Sequence, residues 1–132
     1  MNEPRQAGAI SILVVTGTLL MTLFALAAAD LGSMLVSRAR AQAAADAAAL
    51  AAIVQQAPIL GQGDDPEGAA REVAERNGAT LVSCDCSVGA TIATVTVETT
   101  PRISFVDGWT GRTATATARA ELDPDVMTYE DG

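Results

Sequence analysis

The most apolar stretch of the chain comes first. After a short polar leader, residues 1–8, Ala9 to Ala29 runs 21 residues without a charge. At about 1.5 Å of rise per residue this reaches about 31 Å, the thickness of a bilayer's hydrocarbon core. The pattern predicts a transmembrane helix. Thr16, Thr18 and Thr22 fall inside it, and each hydroxyl can return its hydrogen bond to the helix backbone. Past Asp30 the pattern stays helical. Residues 30–57 are dominated by alanine, the strongest helix former. Leu31, Met34 and Leu35 share a face, and Leu50, Ile53, Val54 and Ala57 form a later apolar stripe at helical spacing. Arg38, Gln42 and Asp46 stand four apart and line a polar strip. Pro58 ends the run. Span and alanine-rich segment together predict one rod of about 50 residues, on the order of 75 Å long.

The second half changes period. Asp65 is a good N-cap with Pro66 at the first helical position. A short helix follows, and Gly78 stops it. Thr80 to Cys84 then reads as a strand, with a turn near Val88 to Ala90. Thr91 to Thr100 places Ala93, Val95 and Val97 on one face, the alternation of a half-buried strand. Ile103 to Val106 is a candidate edge strand before a turn at Asp107-Gly108. Arg112 to Leu122 alternates again, with Ala114, Ala116, Ala118 and Ala120 together. The expected class is α+β and pilin-like. A long N-terminal helix is joined to a short helix and an antiparallel sheet of three or four strands. The expected divisions are a leader at 1–8, the span at 9–29, the rod's continuation at 30–57, a small head at 58–122 and an acidic tail at 123–132.

Composition narrows the chemistry. The net charge is −8 and every basic residue is an arginine. An acidic chain is a poor match for nucleic acid, which needs a basic patch. There is no histidine, so the commonest general base and metal ligand is missing. Asp64-Asp65 and Asp123-Pro124-Asp125 have no calcium-loop spacing. Gly61-x-Gly63 lacks the lysine of a phosphate loop. The expectation is no enzyme, no cofactor, no metal and no small-molecule substrate. Cys84 and Cys86, one residue apart, leave pairing within the chain and pairing between chains both open. Ala27-Ala28-Ala29 resembles a signal-cleavage site, but the apolar run is long and no turn-former ends it. An uncleaved anchor is the expectation. Arg5 before the span and Arg38 and Arg40 after it do not fix the orientation.

Three pieces of the sequence carry a family resemblance. They are Asp30-Leu31-Gly32 at the end of the span, the run from Gln42 to Leu50 (QAAADAAAL), and the stretch from Asn77 to Cys84 before two alternating strands. Together they resemble the TadE/TadG-like components of the tight-adherence (Tad, Flp) pilus machinery, most nearly the short actinobacterial TadE-like proteins found near secretion genes. The resemblance implies a pseudopilin or minor pilin anchored in the cell membrane, with its N-terminus cytoplasmic and its head outside. It also implies prepilin processing at Gly8. A cut there would leave Leu13 fifth, where type IV pilins usually carry glutamate.

Helices in lipid associate by close packing of small residues and a few polar contacts. The interface candidates are therefore Gly17, Asp30, Gly32, Arg38, Gln42 and Asp46. Asp30 either pairs with a cation on a neighbour or marks the wet end of the span. Asp46 either reaches across helices or bonds Gln42 on its own helix. The expected partners are membrane lipid and other pilin-like or Tad secretion subunits. The competing reading is a stand-alone membrane-anchored module whose head binds an extracellular ligand.

Overall fold

The computed structural model describes residues 5–56, 63–100 and 113–123. Helix α1 spans Arg5–Gln56, 52 residues in one unbroken element, about 78 Å at the usual rise. It starts at Arg5, so the second half of the expected leader is already helical. Helix α2 covers Pro66–Arg76. Strands β1 (Thr80–Asp85), β2 (Ile92–Thr99) and β3 (Ala114–Glu121) form an antiparallel sheet in the order β1-β2-β3. The layout is α+β. The expected stop at Pro58, the strand Ile103 to Val106, the turn at Asp107-Gly108 and the tail beyond Asp123 lie outside the described residues.

Local chemistry explains the short elements. The Asp65 carboxylate accepts from the Gly68 backbone N–H at 2.8 Å, and Pro66 occupies the first turn, which satisfies a donor the helix start leaves free. At the other end Gly78 takes φ +72, a left-handed backbone that costs a residue with a Cβ. The Ala79 N–H then donates to the Ala74 carbonyl and the Gly78 N–H to the Glu75 carbonyl, each at 2.9 Å. That pair is the Schellman closure, with buried Ala79 against buried Ala74. Between β1 and β2 the turn at Val88-Gly89 has Gly89 at φ +83.

Helix α1 lies against β2 and β3, and α2 lies against α1 and β1. The shared core is small-grained. Ala41, Ala44, Ala45, Ala48 and Ala52 of α1 are fully buried, facing Ala93, Val95 and Val97 of β2. Alanine on the helix lets its axis come close to the sheet, and the many short contacts supply the dispersion energy.

Among the described residues of the apolar stripe at the rod's end, Ile53 is buried, at 4 % exposed, whereas Leu50 is 59 % and Val54 46 % exposed; Ala57 lies outside the described residues. The sheet already presents Val95 and Val97 to the helix, so little room is left for large side chains. The rod turns its alanines inward and its leucines and valines out.

Candidate assembly interface

Helix α1 presents two different surfaces. From Gly8 to Ala29 every side chain is exposed, including Leu13, Val15, Leu20, Met21 and Phe24. Among the described residues this is the one helix long and apolar enough to cross a membrane. Two of its threonines return their hydroxyls to the helix backbone. The Thr18 hydroxyl donates to the carbonyls of Val14 and Val15 at 3.0 Å, and that of Thr22 to Thr18 at 2.9 Å. Hydroxyls bonded back in this way can enter lipid without stranding a donor.

Burial begins at Ser37 and continues along one face to Gln56. The opposite face stays open. There Val36, Leu50 and Val54 are between 46 % and 59 % exposed, while Leu31 and Leu35 are exposed because they precede the packed part of the rod. Apolar side chains of this size exposed along one helix mark a surface for another macromolecule or for lipid.

The residues singled out in the sequence fall along this rod without forming one cluster. Around Gly8, Gly17 and Gly32 the space is open, since an added Cβ would meet nothing within 4 Å. A neighbouring helix could therefore approach the backbone closely there. Asp30 is partly buried, and its carbonyl accepts from the Ser33 hydroxyl at 2.8 Å. Gln42 donates to the Asp46 carboxylate at 2.9 Å on the exposed side, so these two are joined within the helix. Arg38, further down the same strip, is exposed and has no ion-pair partner among the described residues.

Cys84 and Cys86 are joined to each other across Asp85, with their Cα atoms 5.3 Å apart, inside the usual range for a disulfide. Both lie against the core at the end of β1. Among the described residues no group of three acidic or sulfur ligands comes together.

Sequence reasoning did not reach the lower end of the head. There Arg40 of α1 lines one hollow together with Arg76, Asn77 and Gly78 at the end of α2 and Thr99 at the end of β2. The one available signal was local: Arg40 has Val36 and Ala44 four residues away on either side, so no acid on its own helix can pair with it.

The model of one protein family, Flp pilus-assembly TadE/G-like (Tad), matches residues 8–71, from the start of the apolar span into α2. No curated protein and no solved structure matches the chain significantly. The matched region contains the rod with its open apolar face, and over these residues the chain is TadE/G-like, the type of a family whose work is in Tad (Flp) pilus assembly and is structural rather than catalytic.

Proposed function

We propose that this protein is a membrane-anchored, pseudopilin-like or minor-pilin-like component of a Tad pilus or secretion assembly that acts by helix packing. Residues 9–29 hold it in the bilayer, the leader at 1–8 faces the cytoplasm, and the head at 58–122 stands outside the cell membrane. Its partners are lipid and other pilin-like subunits.

One observation carries this reading. The rod is a single helix of 52 residues whose apolar side chains face outward both before and after the point where the head begins. Beyond the span these residues meet water in the isolated chain, at a cost of roughly 1.5–3 kcal/mol for each large side chain that stays unburied. Ala43, Ala47, Leu50 and Val54 follow one another at spacings of four, three and four on the side away from the sheet. That is the spacing at which two helices interlock. The small residues allow close approach, and the larger ones supply area.

A photo-crosslinking residue at Leu50 or Val54, compared with one at fully buried Ala48, tests this in cells. Crosslinks from the two outward positions to pilus or secretion subunits are the expected result. Outward positions that capture nothing from that machinery would refute the packing role.

A further inference from the structure

A polar hollow of about 470 Å³ opens at the lower end of the head, between α1, the end of α2 and the end of β2. Arg40, Glu75, Arg76, Asn77 and Thr99 lie on its wall. The Thr99 hydroxyl donates to the Ser37 carbonyl at 3.2 Å in a buried bond, which pins the sheet's end to the base of the packed part of the rod. The hollow therefore stands on the side of the head nearest the span.

Helix geometry gives its height. Between Arg5 and Arg40 the only charges are Asp30 and Arg38. Arg5 and Arg40 are about 52 Å apart along the axis. A bilayer with its headgroups is about 40–45 Å thick, and tilt shortens the helix's projection further. The remainder is within reach of a long arginine side chain extended toward phosphate at the outer end.

The wall has the chemistry for such a ligand. Arg40 has no ion-pair partner among the described residues, and a guanidinium pairs with phosphate through two parallel N–H bonds. Arg76 bonds Glu72, yet five N–H donors leave it capacity for a second acceptor. Glu75 is the acid on the wall, and its carboxylate suits hydroxyl donors beyond the phosphate. The Asn77 side chain is already committed, donating to the Val73 carbonyl at 2.8 Å.

We infer that this hollow seats the phosphodiester headgroup of an anionic phospholipid, with Arg40 and Arg76 on the phosphate and Glu75 on the hydroxyls of a glycerol head. The inference rests on the membrane-anchored reading above. Seated in this way, the lipid would fix the rotation of the rod and so the direction in which its outward apolar face points.

The test uses the full chain purified in mild detergent and exposed to mixed phosphatidylglycerol and phosphatidylcholine, with retained lipids counted by native mass spectrometry. Wild type is expected to retain phosphatidylglycerol preferentially. Arg40→Gln and Arg76→Gln should each lower that preference about fivefold. Arg119→Gln, at the far end of β3, should leave it unchanged, and circular dichroism should show all variants folded. Equal retention of both lipids, or an Arg40→Gln protein indistinguishable from Arg119→Gln, would overturn the inference. So would displacement of the lipid by millimolar inorganic phosphate, which would assign the hollow to a soluble anion. Alkaline carbonate extraction of membranes separates the two readings. A chain that stays in the pellet without lipid preference keeps the anchor and loses the pocket, whereas a chain released to the supernatant loses both.

Discussion

At the end of α1, Gln56 is only 1 % exposed, and among the described residues neither its Oε1 nor its Nε2 has a hydrogen-bond partner. A buried amide left without partners costs roughly 1–3 kcal/mol. Gln56→Met keeps the length and removes the polar atoms, so it should stabilise the head by about 1–2 kcal/mol. A melt followed by circular dichroism should move up by several degrees, and a fall would refute the account. Gly78 makes the opposite case. At φ +72 an added Cβ costs about 1–2 kcal/mol, so Gly78→Ala should lower the same melt. The Asp65 cap was legible in the sequence because a cap is a contact between near neighbours. The fate of Gln56 was not, since burial is set by what packs over it. The bond from Gln42 to Asp46 follows from their spacing alone, whereas Arg40 facing the end of α2 could not be read from α1.

At the scale of elements, the head depends on one face of α1 being almost all alanine. Ala48 is fully buried, while Ala43 is exposed. Ala48→Leu would force the helix away from β2 and β3 and should cost roughly 1–3 kcal/mol or more. Ala43→Leu should stay within about 0.5 kcal/mol. Urea titrations of the two variants check this, and equal midpoints would mean the buried face has been misidentified. Strands β2 and β3 were readable because their inward positions alternate strictly. Val95 and Val97 face in, and Ala118 and Ala120 face in beside them. A period of two leaves a strand one choice of face. The rod gave no such signal. Its alanines occur on every side, so their spacing alone does not say which of them the sheet covers.

For the whole molecule, the outward apolar face and the fold are separable. Leu50→Ser combined with Val54→Ser removes exposed side chains only. Such surface changes away from caps and cores should move stability by about 0.5 kcal/mol each or less. Assembly should suffer far more, because buried apolar area at the contact is lost. The expected result is an unchanged melting curve together with loss of pilus output and of co-purification with other subunits. A double variant that assembles normally would show that this face is not used.

The sequence by itself determined the rod, the second helix with its cap and stop, and the alternating strands. Each of these depends on contacts a few residues apart or on a repeat with a single period. The family could be recognised for the same reason, since its marks lie on the rod. The tertiary structure alone decided which side of the alanine-rich helix the sheet would cover. It also decided which apolar residues would remain outside and which arginines would share a hollow. Away from its one polar strip the helix carries alanine on every remaining side, so the partner that packs against it chooses among them.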